Sequence, residues 1–159
     1  MFGLSPIGVV HTILSLLALA AGIAAFARHG LIASRDRAGN AYLWLTVVTC
    51  VTGFFIFRHG GFGKPHALGI VVLVVLAAAW VSETGRGLAR RPLLAAGLYS
   101  FSFFLSLIPA ITETSTRLPL GQPLLASPED PALQTATGLL FIGFIVATAL
   151  QLRRLRSRS

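Results

Sequence analysis

Five long apolar runs, separated by short polar connections, fill most of a chain of 159 residues. A helix needs about 20 apolar residues to cross the hydrocarbon of a bilayer. Lipid offers no partner to an open backbone group, so runs of this kind lead to one architecture, helices packed side by side in a membrane. Composition agrees. Hydrophobic residues make up 55% and charged residues 11%, against about 25% charged in an ordinary soluble domain. Thirteen basic and five acidic side chains cannot keep a water-facing surface wet. A disordered chain is excluded by the same figures, and a disulfide scaffold by the single cysteine, Cys50.

The expected fold is all-α, a polytopic membrane bundle of five transmembrane helices forming a single domain over residues 1–159. The runs predict helices over Pro6 to Ala27, Ala41 to Phe57, Pro65 to Ser82, Pro92 to Thr112 and Pro128 to Leu152. Ser5 suits an N-cap and Pro6 the first helical position. Pro65 and Pro92 open their runs in the same way. Ser127, with Asp130 three residues on, has the look of a capping box before the last run. The first run reads as a retained helix because no positive segment precedes it, as one would in a signal peptide.

Charge placement orients the expected bundle. Arg28, Arg35, Arg37, Arg86, Arg90, Arg91, Arg153, Arg154, Arg156 and Arg158 fall on one side, ten in all, against three (Arg58, Lys64 and Arg117) on the other. The positive-inside rule then puts the N-terminus outside and the C-terminus in the cytoplasm. Twelve of the thirteen basic residues are Arg, and with the Ala, Leu and Gly excess this points to a GC-rich bacterium and its plasma membrane. The basic clusters lie between spans with no basic face interleaved with aromatics, so nucleic acid is not an expected partner. Tyr42, Trp44, Trp80 and Tyr99 fall toward the inner ends of their helices, where an interfacial aromatic belt is expected.

Helices in lipid associate through small and weakly polar residues. Such stripes are His11, Ser15, Ala18 and Gly22 in helix 1, and Thr46, Thr49 and Gly53 beside Cys50 in helix 2. His66, Gly69, Leu73 and Ala77 form one in helix 3. Tyr99, Ser102, Ser106, Ala110 and Glu113 form the most polar one, in helix 4. As packing seams they would bind the helices to one another, to a second copy of the chain or to a larger membrane complex.

Histidines and an acid share these stripes. His11 lies about 7 Å into helix 1 at 1.5 Å per residue, while His59, His66 and Glu113 gather at the same outer end. An ionisable residue within a span is costly and marks a functional possibility; of these four, His11 is the one inside a span. Two imidazoles on different helices at one depth are what a b-type haem requires. His11 with His66, or with His59, meets that requirement, and Arg58 and Lys64 could pair with propionates. His11, His59, His66 and Glu113 could instead hold Zn²⁺ or Cu, or the cluster could bind a quinone head group or relay a proton. Interfacial anchoring and a simple i, i+4 pair of Glu113 with Arg117 account for the same residues without any ligand.

Other chemistry finds no support. Gly60 to Pro65 lacks the spacing of a phosphate loop and makes a turn between spans. Cys50, in mid-span, is a small buried hydrophobe. The basic tail suits topology or anionic lipid.

The order of a helix-1 histidine, Gly39-Asn40-Ala41-Tyr42, Thr52-Gly53-Phe54, Gly63-Lys64-Pro65-His66 and Ile108-Pro109-Ala110-Ile111-Thr112-Glu113-Thr114 resembles small bacterial four- or five-span membrane proteins classed as domains of unknown function, over roughly residues 8–115. That resemblance implies the fold. The histidines of helices 1 and 3 are also similar in placement to those of membrane b-type cytochromes, which implies a single haem site on the outer side.

The leading expectation is therefore a cofactor-binding membrane protein supporting electron transfer or respiratory-complex assembly. A structural or accessory subunit is the alternative. A small proton-coupled transporter is a third reading, weakened by the expectation that the inner half holds no buried acid.

Overall fold

The computed structural model describes residues 5–56, 61–87, 90–119 and 122–157. Helix α1 spans Pro6–His29, α2 Arg37–Gly53, α3 Lys64–Thr84, α4 Pro92–Arg117 and α5 Pro131–Arg156. No strand occurs among the described residues. α1, α3, α4 and α5 are each long and apolar enough to cross a membrane. α2 has 17 residues, or about 26 Å at 1.5 Å per residue, against about 30 Å of hydrocarbon. Four such helices stand where five were expected.

Local chemistry sets the ends. The Ser5 hydroxyl accepts from the Gly8 amide at 3.2 Å, with Pro6 next in line, as expected. α1 closes on Gly30, whose φ of 71° is left-handed and brings its amide to the Phe26 carbonyl; a side chain there would be strained. α2 begins a turn before the expected Ala41, because both carboxylate oxygens of Asp36 cap the amides of Ala38 and Gly39 at 3.2 Å. The start of α5 is corrected from Pro128 to Pro131. Ser127 instead accepts from Glu129 in a turn, and Asp130 takes the capping role at 2.8 Å from the Ala132 amide. α4 continues through Pro109 to Arg117, which places the Glu113–Arg117 ion pair on one helical face.

α1 packs on α2 and α3 on α4, while α2 meets α3 and α1 touches α4. These four enclose the core, centred on Tyr42, Tyr99, Leu76, Ala79, Ala25 and Ile32. A close helix-to-helix approach is at Gly22, where a Cβ would stand 2.6 Å from the Phe103 ring and 3.0 Å from Tyr42. The helix-1 seam is thus a packing surface, as expected. The helix-3 stripe turns out differently. Val72, Leu76, Ala79 and Ser82 face inward with His66, and Ala77 is exposed.

α5 lies at the edge, against α4. Phe141 and Phe144 meet Phe101 and Phe104, the closest pair of rings 4.9 Å apart. Gln151 adds a polar clamp, accepting from the Ser100 hydroxyl and donating to the Gly30 carbonyl, both at 2.8 Å. The outward faces of the helices are apolar, with Leu16 60%, Val74 62% and Leu139 65% exposed. In water such faces would form patches far beyond what monomers tolerate; in hydrocarbon they are the natural surface.

The expected aromatic belt divides. Trp44 and Trp80 are exposed, but Tyr42 and Tyr99 are buried in the core. A tyrosine buried in this way needs a partner for its hydroxyl, and both find one on a neighbouring helix.

Candidate functional site

The polar groups of the interior line up along the bundle. At the arginine-rich end, Glu83 in the last turn of α3 accepts from the Tyr99 hydroxyl at 3.0 Å and from the Ser34 amide at 2.8 Å, both on Oε2. Glu83 is half-buried, with its Oε1 out of reach of solvent, where the sequence led to no acid in the inner half of the interior. One helical turn further in, the Ser102 hydroxyl bonds the Tyr99 carbonyl at 2.8 Å and meets the Tyr42 hydroxyl at 2.9 Å. Ser106 follows on α4, bonded to the Ser102 carbonyl, and Thr46 follows on α2, also buried.

Beyond them lie Thr49 and Thr52. The Thr49 carbonyl takes a hydrogen bond from His11 Nδ1 at 3.0 Å, with the Thr52 hydroxyl 3.3 Å from the same nitrogen. The His11 ring rests over Gly53, where a Cβ would come within 3.1 Å of it. Because a carbonyl can only accept, Nδ1 carries the proton and the neutral ring keeps its Nε2 lone pair. Glu113 lies within electrostatic reach of His11 and pairs with Arg117. The column therefore has a carboxylate at one end and a histidine with a carboxylate at the other.

Three side-chain oxygens on this column, Glu83 Oε1, Thr46 Oγ1 and Thr49 Oγ1, are buried without a hydrogen-bond partner. Each such group costs about 1–3 kcal/mol unless water or a ligand satisfies it. A threonine in a helix ordinarily returns its hydroxyl to the carbonyl four residues back, as Thr12, Thr112 and Thr137 do here.

The histidines expected to share a ligand have separate local duties. His66 sits at the third position of α3, its amide bonded to the Gly63 carbonyl and its Nδ1 accepting from the Gly63 amide at 3.2 Å. In the neutral ring that pairing puts the proton on Nε2, which leaves no lone pair there for an iron. Phe54 and Phe62 flank the ring, with centroids at 6.5 Å and 5.2 Å. Phe54 also occupies the space beside Gly69, where a flat ligand would need room. These residues fit a bis-histidine haem poorly. Lys64 is exposed in the first turn of α3. His59 and Arg58 lie outside the described residues. Among the described residues no three His, Cys, Asp or Glu side chains converge as metal ligands.

Two residues of the column escaped the sequence reading as interior groups, Glu83 and Tyr42. Glu83 follows an apolar run and reads as a polar helix end, and Tyr42 reads as a belt residue. The signal that could have found Glu83 was its position one turn beyond Ala79 on the buried face of α3.

Comparison with protein-family models, curated proteins and solved structures gave no match for this chain.

Proposed function

We propose that the chain is a small membrane protein that moves protons along the column between Glu83 and His11. The observation that carries this reading is the placement of three buried oxygens without a hydrogen-bond partner, Glu83 Oε1, Thr46 Oγ1 and Thr49 Oγ1, on one polar line between Glu83 and His11. Polar groups inside a membrane protein are retained where they line an ion or substrate path. Here the acid and the histidine stand at opposite ends, so a proton entering at one has an acceptor at the other. Threonine and serine hydroxyls between them can each donate and accept. The Tyr99 ring separates its hydroxyl from the Ser102 contact, so passage past that level requires water or a rotation of the ring.

The reading implies that all five helices lie across a bilayer, α2 by the shortest span. It places the Arg-rich connections on the cytoplasmic side, in keeping with their charge.

The test is proton flux into liposomes loaded with a pH-sensitive dye, driven by a potassium diffusion potential. Wild-type protein should acidify the lumen faster than protein-free liposomes. Glu83→Gln and His11→Asn should each slow it by about tenfold or more, since each removes one end of the path. Equal flux from wild type and both variants, with all three monodisperse in detergent, would remove the proposal.

A further inference from the structure

At the arginine-rich end a cavity of about 410 Å³ opens between the α1–α2 connection, the α3–α4 connection, the start of α4 and the end of α5. Its volume falls in the range of small-molecule sites. Arg35, Arg90 and Arg91 line it together with Leu93, Leu94 and Leu155. Glu83 and Tyr99 reach it from the interior. With three guanidinium groups against one carboxylate, the lining favours an anion. The Glu83 carboxylate, held by Tyr99 and the Ser34 amide, repels a second negative charge, so the anion belongs beside the arginines.

The walls decide what kind of anion. Leu93 and Leu94 are 37% and 45% exposed, on the outer face of a helix long and apolar enough to cross a membrane. The apolar side of the cavity is therefore continuous with the surface that meets hydrocarbon. A headgroup bound to the arginines can leave its acyl chains running over these leucines into the bilayer. Basic pockets between helices at a membrane surface recognise lipid phosphates in this manner. We infer that this cavity holds the phosphate of an anionic phospholipid, bound by Arg35, Arg90 and Arg91 with its chains along Leu93, Leu94 and Leu155. The cavity meets the proposed proton path at Glu83, but its readout is bound lipid, not flux, so the two readings fail separately.

The test is native mass spectrometry of the detergent-purified full chain, titrated with phosphatidylglycerol and with phosphatidylcholine of the same chain length. Wild type should retain phosphatidylglycerol with about thirtyfold preference or more, as expected for two or three arginine contacts at about 1 kcal/mol each near a membrane surface. The double variant Arg35→Gln/Arg90→Gln should lose that preference. A triple variant of the tail, Arg153→Gln/Arg154→Gln/Arg156→Gln, should keep it although it removes more charge. Leu94→Trp, which fills the cavity and leaves the charge unchanged, should also lose bound lipid. Equal retention of the two lipids overturns the proposal, as does retention by the double variant or loss in the tail variant alone. Inorganic phosphate that displaces phosphatidylglycerol and raises thermal stability as much as the lipid does overturns it too, by making the site one for a free anion.

Discussion

The Tyr99 hydroxyl donates to Glu83 Oε2 at 3.0 Å, tying the second turn of α4 to the last turn of α3 at the point where the interior meets the arginine-rich connections. The same oxygen takes the Ser34 amide, so one carboxylate joins three parts of the chain. A hydrogen bond to a charged acceptor is stronger than a neutral one, and the surroundings here are largely apolar.

Tyr99→Phe removes that donor and keeps the ring. It should lower stability by about 1–2 kcal/mol, read as a shift in the unfolding midpoint in mixed micelles. Glu83→Gln should cost less than Glu83→Ala, because the amide oxygen can still accept from both donors. A Tyr99→Phe protein as stable as wild type would show that the contact contributes nothing to holding α4 on α3.

At Gly22 α1 lies close against α2 and α4. Gly22→Ala would put a methyl group 2.6 Å from the Phe103 ring and 3.0 Å from Tyr42. The Phe103 ring is also held edge-on by Phe26, with centroids 5.3 Å apart, so it cannot simply swing away. Overpacking of this kind costs about 1–3 kcal/mol. The double variant Gly22→Ala/Phe103→Leu should recover more than half of the loss. An unfolding midpoint for Gly22→Ala equal to that of wild type would mean that the seam has slack.

Much of this architecture was legible because its causes are local. Ser5 before Pro6, and prolines at the starts of α3 and α4, act within a few residues and gave the correct helix starts. Asp36 was missed because it sits between Arg35 and Arg37 and reads as part of a charge cluster. A helix needs capped amides, not apolar side chains, in its first turn. Tyr42 was misplaced for a different reason, and Tyr99, although also assigned to the belt, was placed on the polar stripe of helix 4 and is buried there. Residue type gives a preference for interfaces, but burial depends on which way the helix is turned, and that is fixed by contacts with Ser102 and Glu83 at sequence separations of 60 and 16. His11, read from the sequence as an ionisable group inside an apolar run, lies in α1, a helix long and apolar enough to cross a membrane. Its bond to the Thr49 carbonyl, 38 residues away, could not be read from spacing.

Gln151 holds the edge helix by two hydrogen bonds, one to α4 and one to the residue that ends α1. Gln151→Leu keeps the bulk and removes both. Residues 131–156 should then exchange their amide hydrogens faster, with protection in α1 to α4 unchanged, because α5 buries little beyond Leu133 and opens as its own unit. Faster exchange throughout the bundle would instead make α5 part of the cooperative core.

The two interior histidines differ in the proton they carry, and that difference bears on haem. His11 Nδ1 donates to a carbonyl and leaves Nε2 as an acceptor, the state an axial ligand needs. His66 Nδ1 accepts from the Gly63 amide, the opposite state, and Phe54 and Phe62 pack around its ring. Protein purified from haem-replete cells should therefore show no Soret band and no sharp α and β bands on dithionite reduction. His66→Asn can keep an acceptor for the Gly63 amide, so it should leave the start of α3 intact, with only a small loss of stability. A reduced spectrum with α and β bands, lost on both His11→Ala and His66→Ala, would return the haem reading. It would also require that the Gly63–His66 pairing break when the ligand binds.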